Sequence, residues 1–261
     1  MSAASTADRA EQAARQLAHA AMICEPIDEV NPPPHDLADA YRIQVAGHAL
    51  HGEPLSAWKA GCTSSAAQDF LGIAGPVSGR YRHSHVLESP ASLSTDQFAT
   101  PPRLEVEVGL RILNDIDDAP GDAMELADAV DVFASIEVVA GRLASFPLLA
   151  AADLVADNVV GARMIVGPSL GLDPAGVRAL DTILVSLDID GVEVASGTGA
   201  DALGHPLDVL AWLAGHAAGF GTPLRSGDLV ITGTCTGMEP ARPGARHTGH
   251  VGAVRVELDM E

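Results

Sequence analysis

Along residues 103–113 apolar and polar side chains alternate: Leu104, Val106, Val108, Leu110 and Ile112 interleave with Arg103, Glu105, Glu107 and Arg111. A two-residue period predicts a strand with one buried face. Upstream the period lengthens. Ala13, Ala14, Leu17, Ala20 and Ala21 mark one face of a helix starting at Ser5; Asn31 and three prolines break it, and residues 37–50 predict a second helix. Residues 57–63 predict a short strand running into a helix capped near Ser64 or Ser65 and extending through Phe70. Residues 72–90, rich in glycine, proline and histidine with no clear period, predict a mobile loop. Residues 122–129 predict a helix, and 134–139 and 159–166 predict strands. Residues 183–189 and 192–197 flank Asp190-Gly191, a dipeptide suited to a tight hairpin turn. A helix over 206–218 and strands over 229–232 and 253–258 complete the series. Strands clustered around a few helices predict an α+β architecture rather than regular βαβ alternation. The chain then reads as one structural unit, with an N-terminal helical segment (1–56) packed on a strand-rich domain (57–261).

Composition narrows the function. With 261 residues, 47% of them hydrophobic, the chain can bury a substantial core. No apolar run approaches the ~20 residues that span a bilayer, and residues 1–16 lack a signal-peptide layout, so a cytoplasmic protein is expected. Cys24, Cys62 and Cys235 are far apart and read as reduced thiols. A formal charge of −20 without a basic cluster argues against nucleic-acid binding. If the ligand is a small anion, the site must supply its own positive potential. Lys59, the only lysine in the chain, lies on a predicted strand; a composition favouring arginine, alanine and glycine also leaves lysine rare.

On the 103–113 strand Glu105 and Glu107 share a face opposite the apolar one. Two like charges so close raise each other's pKa unless a cation neutralises them, and oxygen-only ligands suit Mg²⁺, Mn²⁺ or Ca²⁺. An edge strand pointing both side chains into water fits the same pattern. Glu137, inside the apolar run Ile136 to Val139, is a third carboxylate that is costly to bury alone; its partner is either the same cation or Arg142 or Arg103. Asp157 reads as a turn or hydrogen-bonding residue.

Taken together, Trp58-Lys-Ala-Gly-Cys-Thr-Ser64, Pro102-Arg-Leu-Glu-Val-Glu-Val108, Ile136-Glu-Val-Val139 with Arg142, Val155-Ala-Asp-Asn158, Gly197-Thr-Gly199 with Leu203-Gly-His-Pro-Leu207, and Leu224-Arg-Ser-Gly-Asp228 with Thr232-Gly233 resemble the 2-oxopent-4-enoate hydratase and 4-oxalocrotonate decarboxylase group of the fumarylacetoacetate hydrolase superfamily. The resemblance implies a mixed β-sheet roll with flanking helices and a homo-oligomer. It implies Mg²⁺ or Mn²⁺ held by Glu105, Glu107 and Glu137, with Lys59 beside it in the pocket of a small anionic 2-oxo acid. The implied reaction is water addition to a 2-hydroxy-2,4-dienoate, giving a 4-hydroxy-2-oxo acid in aromatic or steroid catabolism. The alternatives are decarboxylation of a 4-oxalocrotonate-type diacid and a non-catalytic partner subunit.

One stretch departs from the resemblance. An acidic residue implicated in proton transfer is expected soon after Gly79, but the chain reads Arg80-Tyr-Arg-His-Ser-His85. Ser84 is the nearest position, beside His83. Either His83 or His85 acts as acid and base, or Arg80 and Arg82 bind an extra anionic group, or water addition is impaired; exposed loop residues fit equally. Ser196 and Thr198 are candidates for binding a substrate carboxylate, although Gly197 and Gly199 also fit a purely backbone role. His205 is assigned to turn structure before the helix opened by Pro206.

Overall fold

The computed structural model describes residues 5–261; the first four positions of the expected N-terminal segment lie outside the described residues. Helices α1 (Thr6–Ile23) and α2 (Leu37–Ala49) open the chain on either side of the proline run. Ser5 caps α1 in a reciprocal box with Asp8, and Asp36 caps α2 by accepting from the Asp39 amide. Next come β1 (Leu55–Gly61), α3 (Ser65–Leu71), β2 (Val77–Arg82), β3 (Val86–Glu88), β4 (Ala91–Leu93), β5 (Arg103–Ile112), β6 (Val130–Val139), α4 (Ala151–Ala156) and β7 (Gly161–Ser169). The second half adds α5 (Pro174–Val177), β8 (Leu184–Ile189), β9 (Val192–Thr198), α6 (Pro206–Gly219), β10 (Leu229–Ile231), β11 (Glu239–Pro240), β12 (Arg246–Val251) and β13 (Val254–Met260). No helix among the described residues is long and apolar enough to cross a membrane.

The strands form two mixed sheets. The larger runs β2-β1-β10-β5-β6-β7-β3, with β11 also on β5; the smaller runs β4-β13-β12-β8-β9. Consecutive strands pair antiparallel in β1–β2, β5–β6, β6–β7, β8–β9 and β12–β13, and the remaining pairings join non-consecutive strands, within the α+β arrangement expected from the pattern. Period-2 geometry gives the larger sheet two different faces. Val106, Val108 and Leu110 of β5 and Ile136 of β6 point into the main core, which they share with Val256 and Leu258 of the smaller sheet and Leu207 and Leu210 of α6. The opposite face carries Glu105, Glu107 and Glu137 beside a small cluster of Tyr81, Phe133, Met164 and Ile231. A third cluster joins α1, α2 and α4 through Ala13, Leu17, Ile43 and Val155 to Val139 and Leu143.

Four expectations are corrected. Residues 72–90 are not a loop: β2 pairs antiparallel with β1, and β3 follows a one-turn 3-10 helix (His83–His85). Val77, Gly79 and Tyr81 do alternate with Ser78, Arg80 and Arg82, but glycine and arginine at buried positions conceal a period judged on hydrophobicity. Residues 122–129 form a 3-10 helix (Ala123–Asp128) rather than an α-helix. Strand β7 begins at Gly161, because Asn158, Val159 and Val160 take left-handed φ values of 56°, 51° and 52°. Strand β12 was missed: on its buried face Gly249 stands between His247 and Val251, where a Cβ would meet Val106 at 3.0 Å, so the sheets approach too closely for a side chain to mark the position. The Asp190-Gly191 hairpin forms as expected, with φ of 51° and 80°.

Candidate metal centre

Glu105 and Glu107 leave β5 on the same face, and the β5–β6 register sets Glu137 directly opposite Glu105. One oxygen from each carboxylate lies within 4.8 Å of the others. Their exposures are 8%, 0% and 0%, so three carboxylates share one dry volume. Burial, then the charge of Glu137, raises the Glu105 pKa to about 8; burial, then Glu137 and Glu105, raises that of Glu107 well above the ordinary range.

Lys59 reaches the cluster from β1, across the end of β10. Its Nζ lies 2.7 Å from Glu137 Oε1 and 2.9 Å from Oε2, and it donates to the Val159 carbonyl at 3.0 Å. Burial works against the ammonium, but Glu137, Glu105 and Glu107 outweigh it and the pKa rises. The buried Tyr81 hydroxyl donates to Glu137 Oε1, and burial followed by the Glu137 charge keeps that phenol protonated. On Glu107, Oε2 accepts the Gly233 amide at 2.6 Å while Oε1 is buried with no hydrogen-bond partner.

Fully ionised, the three carboxylates would outweigh Lys59 by two charges in a low-dielectric volume, which is why Glu105 and Glu107 resist ionisation without a cation, and one buried oxygen has no donor. Oxygen-only donors at this spacing fit a hard divalent cation, with Glu105, Glu107 and Glu137 holding it. Glycine makes room beside Lys59. A Cβ on Gly79 would lie 2.8 Å from both Lys59 Cγ and the Asn158 carbonyl, and one on Gly161 would lie 2.7 Å from the Tyr81 hydroxyl.

Beside the carboxylates opens a cavity of about 290 Å³. Among the described residues Lys59, Glu105 and Glu107 are its only charged lining residues, and Phe70, Phe146, Leu154, Val160 and Met238 make much of the remainder. Cys62 also lines it, its thiol pushed up to about 11 by burial and therefore neutral.

Of the sequence-derived candidates, the structure gathers Lys59, Glu105, Glu107 and Glu137. Arg80, Arg82, His83, Ser84 and His85 do not line this cavity. Arg80 and Arg82 leave β2 on the face opposite Tyr81, Ser84 is exposed and bonds Glu53, and His85 bonds Arg82. The β2 residues on the carboxylate side are Val77, Gly79 and Tyr81, none of them acidic. Ser196 is exposed on β9, and Thr198 bonds Asp201; neither lines the cavity. Arg142 pairs with Asp157 rather than Glu137, and Asp157 accepts the Arg142 amide at 2.7 Å. His205 caps α6 by accepting the Leu207 amide at 3.0 Å. Tyr81 and the Val159 carbonyl escaped sequence reading. Alternation along β2 could have exposed the first; a backbone carbonyl carries no residue signal.

A pH dependence follows. The folded pKa of Glu105 lies above its unfolded value near 4.5, so the folded state binds the extra proton and stability falls as pH rises from about 4.5 to about 8. Thermal unfolding of EDTA-treated protein should therefore show a Tm declining across pH 5–8, with Mg²⁺ or Mn²⁺ stabilising more at pH 8 than at pH 5. A metal effect of equal size at both values would contradict this assignment.

Residues 69–260 match the family model described as fumarylacetoacetate (FAA) hydrolase C-terminal. A 2-keto-4-pentenoate hydratase of Paraburkholderia xenovorans (strain LB400) is 30% identical over 97% of this chain and 96% of its own. A 2-hydroxyhexa-2,4-dienoate hydratase of Comamonas testosteroni is 30% identical over 83% of each chain. Among solved structures, 4-oxalocrotonate decarboxylase from Pseudomonas putida G7, complexed with magnesium and adipate, superimposes with a TM-score of 0.90 at 25% identity, covering 100% of both chains.

Proposed function

The chain belongs to the fumarylacetoacetate hydrolase family and is an enzyme of it, and from that membership we propose a hydro-lyase that adds water to a 2-hydroxy-2,4-dienoate to give a 4-hydroxy-2-oxo acid. The observation that carries this reading is the pairing of the three-carboxylate cluster and Lys59 with a cavity that is otherwise apolar. The hydratase names of the 30%-identical relatives support it. A small anionic 2-oxo acid is the ligand, in a homo-oligomer working in aromatic catabolism.

Mg²⁺ or Mn²⁺ held by Glu105, Glu107 and Glu137 would supply Lewis-acid polarisation of the 2-oxo acid. Lys59 brings the one positive side-chain charge on the cavity wall, so it meets the carboxylate or the enol oxygen of the substrate. Glu137 and the Val159 carbonyl hold its Nζ and keep its proton in place. Tyr81, by donating to Glu137, holds that carboxylate and so positions Lys59 indirectly. Thr63, Ser64 and Thr234 place hydroxyls on the wall, where they orient the added water in the absence of an acid from β2. The apolar side receives the hydrocarbon end of the diene and excludes bulk water.

The fold likeness to a decarboxylase favours a second reading, loss of carbon dioxide from a 2-oxo diacid. The cavity opposes it, since among the described residues no lining cation besides Lys59 is present to meet a second carboxylate. Leaving that charge unpaired costs at least ~1.4 kcal/mol, a tenfold loss. Purified protein with Mn²⁺ should hydrate 2-hydroxypenta-2,4-dienoate and 2-hydroxyhexa-2,4-dienoate with a kcat/KM at least ~10-fold above any turnover of 4-oxalocrotonate. Carbon dioxide release from the diacid as the faster reaction would select the second reading. Absence of both activities would leave the chain as a partner subunit.

A further inference from the structure

A second cavity system lies between α1, α2 and the segment 157–161, on the other side of that segment from Lys59. Arg80, Arg82 and Arg142 help to wall one lobe of about 110 Å³; an adjoining lobe of about 640 Å³ shares Arg82, Arg142 and His85 and adds Arg163. Five of the chain's 15 basic residues, set against 35 acidic ones, thus line one cleft; the fifth, Arg15, is exposed and paired with Glu11, which leaves four arginines to converge.

Their charges are poorly met. Arg142 has a close partner in Asp157, but Glu53, the carboxylate paired with Arg82, is 3.8 Å away. Arg163 donates to the Ala162 carbonyl and lies over the Phe98 ring. Arg80, 8% exposed, places its guanidinium 4.5 Å from the Trp58 ring centre, and its buried Nε has no hydrogen-bond partner. Among the described residues no carboxylate comes within ion-pair distance of Arg80 or Arg163. Burial, with repulsion from Arg82 and Arg142 added to it, lowers the Arg163 pKa, and burial followed by Arg163, Arg82 and Arg142 lowers His85 to about 3. His85 is therefore neutral at physiological pH and adds no charge of its own.

We propose that this cleft is an anion-binding site, separate from the metal centre, for a small dianion of the inorganic phosphate or short dicarboxylate class. Three guanidiniums without a close carboxylate match two negative charges, and planar N–H forks recognise paired oxygens. The lobes hold a ligand of a few heavy atoms. A net charge of −20 disfavours anions over most of the surface, so an anion site must be built from locally gathered cations, as it is in this cleft.

The test uses Mg²⁺-loaded protein with oxalate filling the metal centre. Inorganic phosphate, malonate and, at matched ionic strength, sodium chloride are titrated in turn, with thermal unfolding and calorimetry as readouts. Phosphate or malonate should stabilise in a saturable way that chloride does not reproduce, and whichever does so identifies the source of the dianion. Arg163→Gln and Arg82→Gln should each weaken that binding about tenfold, whereas Glu105→Gln should leave it within about twofold. Stabilisation no greater than that of chloride overturns the site, as does binding unchanged in both arginine variants or lost in Glu105→Gln.

Discussion

Lys59→Met is expected to lower kcat/KM for 2-hydroxypenta-2,4-dienoate by about 10²–10³, the range for losing one positioned donor to a developing oxyanion. Methionine keeps most of the side chain's length and removes its charge, so the change tests electrostatics rather than packing. The same substitution acts on the metal-free fold. Lys59 is the cation in contact with Glu137, and 3% exposure means that water cannot replace it. Removing one partner of a buried pair costs about 3–5 kcal/mol, so the EDTA-treated variant should unfold well below the parent, with Mg²⁺ or Mn²⁺ recovering much of the difference. Activity within tenfold of the parent would remove Lys59 from the reaction.

Glu107→Gln should move activity and metal-free stability in opposite directions. A ligand carboxylate becomes a neutral amide of the same shape, and kcat/KM and metal affinity should both fall by at least ~100-fold, beyond the ~10–100-fold typical of losing a supporting residue. Without metal the substitution relieves repulsion, because burial and the charges of Glu137 and Glu105 oppose ionisation at this position. A gain of about 1 kcal/mol raises Tm by roughly 2–4 °C in a chain of this size. Only a site strained for the sake of a ligand gains stability when a ligand group is neutralised; a drop in the metal-free Tm would point to a structural role for Glu107.

The contrast between β5 and β2 shows what the sequence made legible. In β5 every inward residue is aliphatic and every residue on the opposite face is polar or glycine, so strand, face and paired carboxylates could all be read directly. Glu137 was readable because a charge inside an apolar run demands a partner. Strand β2 was not, since Arg80 is buried by stacking on Trp58 rather than by hydrophobicity, and Tyr81 by hydrogen bonding to a carboxylate distant in sequence. Of the stretch Arg80 to His85, Tyr81 faces the carboxylates, whereas Arg80, Arg82 and His85 line another cavity. Only the register with β1 reveals this: Lys59 opposite Gly79 puts the two arginines on the reverse side. The partner of Glu137 was likewise a matter of register, and Arg142 proved to be committed to Asp157.

The three consecutive left-handed residues before β7 bear on any attempt to make this protein more robust. Each such conformation in a residue with a side chain costs about 1–2 kcal/mol, and valine tolerates it worst. Glycine at position 159 would release that strain, but Val159 is 3% exposed and packed in the core, and losing ~1.5–3 kcal/mol of burial offsets or exceeds the gain. The same change would strip a side chain from the cavity wall and loosen the carbonyl that steadies Lys59. Position 159 is thus a place where laboratory selection for durability and selection for turnover would both keep a strained valine, and a glycine variant is expected to be no more heat-tolerant and slower.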